Sequence, residues 1–239
     1  MRSISIASIA GLLAAGSSAS ALAQEDVGGM SPFSAVDAYV SYSDLQSEGG
    51  GAGADVDDAD IGGGLRLRMG FGDLFFLDGG FQSVSIDNPD RASGGSAQGS
   101  TVRFREQHIS GGLRYALFDE RLTPYISVGE YRPRIRVNDP DGSSRVSDSS
   151  LLFGAGADFV LMRGLHLSGQ YRLADDLDVG EFEEITAGAA YELSTSVGIF
   201  AEYRIAEIDF DGGGSFESND IRLGLRFSFA SESEGEDFY

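Results

Sequence analysis

The chain has 239 residues and a formal net charge of -21, with 38 acidic against 17 basic side chains. That balance excludes a general nucleic-acid binder, whose phosphate-facing surface must be basic. There is no cysteine, so a disulfide framework and a thiolate metal site are excluded too.

The first element is a leader. Arg2 precedes an apolar run through residues 4–15, and Ala21-Leu22-Ala23 forms a small-x-small cleavage pattern. Residues 1–23 are therefore expected to be a cleaved secretory signal peptide, and 24–34 a short periplasmic N-terminal segment. No later stretch reaches the roughly 18 consecutive apolar residues of a spanning helix.

From residue 35 onward the chain is a succession of segments with period-two alternation, the mark of strands. Residues 35–45 are the first. In 64–71, Leu65, Leu67, Met69 and Phe71 alternate with Arg66, Arg68 and Gly70, and Gly72-Asp73 turns the chain into 74–86. In 108–117, Ile109, Leu113, Tyr115 and Leu117 oppose His108, Ser110 and Arg114, and residues 119–121 lead into 122–137. In 151–161, Phe153 and Phe159 oppose Gly154, Gly156 and Asp158. After a turn at 162–164, Leu165, Leu167, Tyr171 and Leu173 oppose His166, Ser168, Gln170 and Arg172. Segments 185–193 and 197–205, joined at Ser194-Thr195, and the last, 221–229, bring the count to about ten. The short turns alternate with longer connections, rich in Gly, Asp and Ser, at 46–60, 87–101, 138–149, 175–181 and 211–217.

An even strand count with short turns at one rim and long loops at the other predicts an all-β fold. It is an antiparallel up-and-down transmembrane β-barrel over 35–229, with about ten strands. Eight, with one pair absorbed into a loop, is the other count. Alternation alone does not say whether the apolar face points in or out. The polar face breaks the tie, because it interleaves both signs of charge: Arg66, Arg68, Arg114, Arg172, Arg204, Arg222 and Arg226 with Asp78, Glu106, Asp158, Glu184, Glu192 and Glu202. Such balance on an acidic chain predicts mutual pairing in a narrow lumen, since unpaired buried charge costs several kcal/mol. Aromatics form two bands. Phe71, Phe75, Tyr115, Phe118, Phe159, Tyr191, Phe227 and Phe229 lie by the short turns; Tyr42, Phe81, Phe104, Tyr131, Tyr171, Tyr203 and Phe210 lie nearer the long loops. Two such bands predict interfacial girdles.

The last strand carries the most specific motif. Arg222, Leu223, Gly224, Leu225, Arg226, Phe227, Ser228, Phe229 reads polar-x-Gly-x-x-aromatic-x-aromatic. With this motif and the alternation, the chain resembles the small Gram-negative outer-membrane β-barrels, OmpA-like and opacity-type (porin-like). The resemblance implies an outer-membrane location, contact with outer-membrane lipids and lipopolysaccharide, and recognition by the barrel-assembly machinery through Arg222, Gly224, Phe227 and Phe229. Two departures stand out: the commonest members have eight strands, and here ten residues, 230–239, follow the motif. That acidic tail is expected to be disordered in the periplasm.

No catalytic, cofactor or metal site is predicted. His108 and His166 are the only histidines. Glu106 is near enough to orient His108, but a lumen hydrogen-bond network accounts for both histidines more simply. The ten-stranded proteases that the resemblance brings to mind use an Asp–His pair at the outer rim. Here Glu106-Gln107-His108 and Gly164-Leu165-His166 stand in place of Asp-x-His. The lipid deacylases need a histidine on the lipid face, where none is expected. Asp57, Asp58 and Asp60 in "DVDDAD" fail the EF-hand spacing; they read as a solvated acidic loop, or as carboxylates sharing divalent cations with lipopolysaccharide phosphates. The function expected is a structural or surface barrel with its lumen plugged by an Arg–carboxylate network. The alternatives are a narrow porin-like channel lined by Arg66, Arg68, Arg222 and Arg226, and an adhesin acting through loops 87–101 and 138–149.

Overall fold

Segments with a polar face and an apolar face bury one of them by closing into a cylinder, and the chain does this with eleven strands among its described residues. They are β1 (Ser34–Glu48), β2 (Val56–Phe71), β3 (Phe75–Asp87), β4 (Thr101–Arg114), β5 (Leu122–Asp139), β6 (Gly142–Ser147), β7 (Ser150–Met162), β8 (Leu165–Leu177), β9 (Gly180–Glu192), β10 (Val197–Phe210) and β11 (Ser215–Ser228). The computed structural model describes residues 33–48, 56–87, 100–118, 120–140, 142–177, 180–210 and 214–229. The expected signal peptide and the acidic tail lie outside these residues.

Neighbours in sequence pair antiparallel, and β11 returns to β1, which closes the ring. β6 and β7 share one place in it: β6 pairs with Arg134–Asp139 of β5, while β7 pairs with Leu122–Tyr131 of the same strand. The barrel thus has ten staves, and the β5–β6 hairpin stands above them. At the short-turn rim, Gly72 and Gly164 hold φ of +60° and +78°, which side chains bearing a Cβ adopt at a cost.

The barrel is inside out. Leu223 and Leu225 on β11 are 54% and 45% exposed, whereas Arg222, next to Leu223, and Arg204 on β10 are 5% and 0% exposed. Hydrocarbon around the barrel explains this, since a charge facing acyl chains finds no water. Phe71, Phe75, Tyr115, Phe118, Tyr191, Phe227 and Phe229 are exposed toward the short-turn rim, and Tyr42, Phe81, Tyr171 and Tyr203 are exposed higher up.

Higher on the same strands the chemistry swaps faces while the alternation keeps its phase. On β4, Val102 and Phe104 are buried, as Glu106 is; Arg103 and Arg105 share the outer face with Ile109 and Leu113. On β5, Tyr131, Ile135 and Val137 point in, and Arg132, Arg134 and Arg136 point out. An apolar core that includes Leu45, Val84, Ile86, Phe104, Tyr131, Leu152, Phe182 and Phe216 fills this upper interior. Above the acyl chains both surroundings are aqueous, so the barrel packs there as a soluble one would.

Three expectations are corrected by this swap. Phe104 and Tyr131 belong to the upper core, each only 1% exposed, and not to an outer girdle. The long connections are shorter than expected: strands run to Glu48, from Val56, through Gly142–Ser147, to Leu177, from Gly180 and from Ser215. Their polar residues read as loop because they face water from strands that have risen above the membrane. Asp57, Asp58 and Asp60 accordingly sit on β2, paired with β1, and not in a loop. Asp58 and Asp60 each accept a hydrogen bond from the next residue's N–H, at 2.7 and 2.6 Å.

Candidate functional site: the charged lumen

Strand pleating sends every second side chain inward, so β1, β2, β3, β4, β7, β8, β9, β10 and β11 each deliver charge to the middle of the lumen. Arg204 lies at its centre with no exposed surface. Its Nε donates to Glu184 at 2.5 Å, Nη1 to Asp220 at 2.7 Å and Nη2 to Glu106 at 2.5 Å. Glu184 and Asp220 come from the flanking strands, but Glu106 reaches from β4 across the barrel. This single guanidinium ties the two walls together. Glu106 also accepts from the Tyr131 hydroxyl at 3.1 Å, and Glu184 accepts from Arg172 Nε at 2.6 Å.

One layer nearer the short turns, Arg222 donates to Glu202 at 2.8 Å and to the Gln82 side-chain carbonyl. Gln82 in turn donates to Asp220 at 3.0 Å. Arg66 joins Asp37 at 2.8 Å and Glu202 at 2.9 Å. Arg226 grips the same Asp37 through two donors, at 2.8 and 2.9 Å. Arg68 bridges Asp78 and Asp158, both at 3.3 Å. Six arginines thus meet seven carboxylates in an enclosed space. Charge-assisted bonds of this length offset the desolvation of each ion, provided none is removed.

Both ends of this ionic layer are closed. Toward the short turns, Phe33, Phe76 and Tyr125 pack edge to face with centroids 5.1–5.6 Å apart, and Arg68 lies 5.0 Å from the Phe33 ring. Toward the outside sits the apolar core, with Tyr131 stacked on Phe182 at 4.0 Å. Within the layer, beside Tyr39, Gln82, Glu106 and His108, lies a cavity of about 20 Å³, room for about one water.

The residues expected in the lumen divide in two. Arg66, Arg68, Arg172, Arg204, Arg222, Arg226, Asp78, Glu106, Asp158, Glu184 and Glu202 meet in the network described. Arg114 sits lower, donating to the Gly72 carbonyl at 2.6 Å with its guanidinium 4.6 Å from the Phe33 ring. Glu192 is also near the short-turn rim, 2.7 Å from His166 Nε2. His108 engages Asp78 at 2.8 Å and not Glu106, which Arg204 holds. Asp37, Asp220, Gln82 and Tyr39 were missed. Counting back two residues at a time from Arg222 reaches Asp220, so the alternation held that signal. In the terminal motif, Arg222 and Gly224 face inward while Phe227 and Phe229 face out. A Cβ on Gly224 would overlap the Ala38 carbonyl and the Phe200 ring, so packing alone demands glycine there.

A closed cylinder with an apolar outer belt, aromatic bands and an ion-paired interior defines an integral outer-membrane barrel. The outer membrane protein beta-barrel domain family matches residues 9–186, and the chain belongs to that family. Among solved structures, it is similar to Ail, the attachment invasion locus protein of Yersinia pestis, at 16% identity over 81% of this chain and 97% of that one, with a TM-score of 0.43. It is also similar to Neisserial surface protein A at 13% identity, covering 82% and 96%, with a TM-score of 0.45. The outer membrane protease OmpT of Escherichia coli aligns at 12% identity over 84% and 98%, with a TM-score of 0.47. A search of curated proteins found no match.

Proposed function

We propose that this outer-membrane protein is a closed, non-conducting barrel that serves as a rigid pedestal, raising a packed extramembrane tier and its connecting segments above the cell surface. The observation that carries this reading is the three-level closure of the interior: aromatic below, ionic in the middle, apolar above. A small-solute channel needs continuous water, and the cavity of about 20 Å³ beside His108 holds roughly one molecule. The arginines that could line a channel are each held by carboxylates. Each histidine is engaged by one carboxylate inside the barrel, which favours a structural part over a catalytic one. Planar-bilayer recording of the purified protein is the test. The expected result is no steady current beyond that of bare membrane. Ohmic conductance would overturn the closed reading in favour of the narrow channel.

A further inference from the structure

The outer face of β4, β5 and β6 carries arginine in cross-strand rows. Arg103 pairs with Arg136, and Arg136 with Arg145; Arg105 pairs with Arg134; Gln107 pairs with Arg132. The next row down is Ile109 with Glu130 and Leu151, and below it come Gly111 with Val128, then Leu113 with Ile126. Like charges placed directly opposite each other destabilise a sheet. Yet a chain of net charge -21 places six of its 17 basic residues on this one face. Among the described residues, carboxylates relieve only one of the six, Arg132. Arg132 pairs with Glu130 at 2.7 Å and Arg136 donates to Asn138 at 3.0 Å. Among the described residues, Arg103, Arg105, Arg134 and Arg145 have no ion-pair partner, and Arg105 Nε is buried without an acceptor.

We propose that this face is a binding site for the phosphate groups of the outer-leaflet glycolipid, lipopolysaccharide. Height is the first argument. Two residues along a tilted strand rise about 5 Å, so Arg132 stands one such step above the topmost apolar row, and Arg105 and Arg134 two. That is where phosphorylated head groups border hydrocarbon, and long guanidinium side chains reach either way from it. The surface beneath is the second argument: below the Ile109–Glu130 row, Leu77, Gly111, Leu113, Ile126 and Val128 line an apolar groove on the lipid-facing side, along which acyl chains of the same lipid would run. A soluble polyanion would use the arginines and leave the groove to other lipids. The third is charge elsewhere on the rim. On the outer face of β9–β11, Glu183, Glu207 and Glu217 form one cross-strand row and Glu181 and Asp209 another, so direct phosphate contact is favoured on one side of the barrel only. Guanidinium is suited to that contact, since it meets phosphate oxygens through two parallel N–H donors. This site is separate from Asp57, Asp58 and Asp60 on β2, the carboxylates expected to share divalent cations with lipopolysaccharide phosphates.

The test compares the full-length protein with the variant Arg103→Gln, Arg105→Gln, Arg134→Gln, Arg136→Gln in detergent micelles. Binding is read by native mass spectrometry and by melting temperature, with bisphosphorylated lipid A, with the same lipid after dephosphorylation, and with inorganic pyrophosphate. Because the substitutions remove like-charge rows, the variant should melt no lower than the parent in lipid-free micelles; Arg→Lys at the four sites keeps the charge and is the second comparison. Bisphosphorylated lipid A is expected to bind the parent about tenfold more tightly than the Gln variant, with the Lys variant between them. The dephosphorylated lipid should lose that difference, and pyrophosphate should fail to displace the lipid. The proposal is overturned if both lipids bind alike, if the Gln variant binds as the parent does, or if pyrophosphate competes equally, which would mark a simple anion patch. Cross-links joining Arg103 of one copy to the Glu183–Glu207–Glu217 row of another, undiminished by lipid A, would assign the face to a second copy of this chain instead.

Discussion

Below the level of Ile109 and Glu130, the barrel keeps charge inside and apolar side chains outside; above it, Val102, Phe104, Ile135 and Val137 fill the interior while Arg103, Arg105, Arg134 and Arg136 stand outside. Strand geometry is the same in both halves, and even-numbered residues of β4 point inward from Val102 to Gly112. The medium around the barrel therefore sets the outer face. The inner face has only to be consistent with itself: paired ions in one half, close-packed hydrocarbon in the other. Tyr131 and Glu106 sit at the seam, with a ring in the apolar core and a hydroxyl donated to the carboxylate. The two halves meet without an unmatched polar group at that point.

The lower interior should be the more brittle, because charge there depends on every partner. Arg204→Met leaves Glu106, Glu184 and Asp220 facing one another, a loss of about 3–5 kcal/mol. The urea midpoint in micelles and the boiling temperature at which gel mobility shifts should both fall. Adding Glu106→Gln and Asp220→Asn to that variant should recover most of the loss, since Glu184 stays with Arg172 and Glu202 with Arg222, and five arginines then face five carboxylates. If Arg204→Met alone is harmless, the network is not what holds the two walls together.

Much of this architecture is legible in the residues themselves. Period two located each stave, and the mixed charge beside Leu223 and Leu225 told which side faced lipid. What alternation cannot convey is the medium at a given height. Arg132, Arg134 and Arg136 share a face with Ile126 and Val128, and only closure of the barrel shows that the first three clear the membrane. For the same reason Phe104 and Tyr131 looked like girdle residues, and the polar runs at 56–60 and 142–147 looked like loop. Asp37 escaped because its own strand carries no basic residue; its role appears once β2 and β11 bring Arg66 and Arg226 to either side.

The outer faces of the two halves can be compared with one kind of substitution. Leu223→Arg puts a cation among acyl chains, between Val40 and Ala201 on the neighbouring strands, and should cost about 2–4 kcal/mol. Glu183→Arg places the same group on the same side of the barrel but in the upper half, opposite Glu207. There it should stabilise by a few tenths of a kcal/mol, on the scale of a cross-strand ion pair. Equilibrium refolding into lipid vesicles measures both. Equal penalties at the two sites would mean that the acyl chains reach higher than the inverted pattern implies.

The smallest effect is a pH dependence in the acidic row. Partial burial, followed by the nearby carboxylates of Asp209, Glu217 and Glu183, raises the pKa of Glu207 above its ordinary value. A carboxyl group raised in the folded state is a liability when ionised. The penalty is present in full at neutral pH, shrinks as pH falls through the raised folded value, and vanishes below the unfolded value of about 4.3. Glu207→Gln should therefore raise the melting temperature slightly at neutral pH, by no more than the few tenths of a kcal/mol that half-exposed charges exchange. The gain should disappear near pH 4, and about 1 M salt, with its Debye length of roughly 3 Å, should erase it at neutral pH as well. A difference that survives both acid and salt would have to come from packing around the Glu207 stem. The upper rim would then hold its charged rows without electrostatic cost.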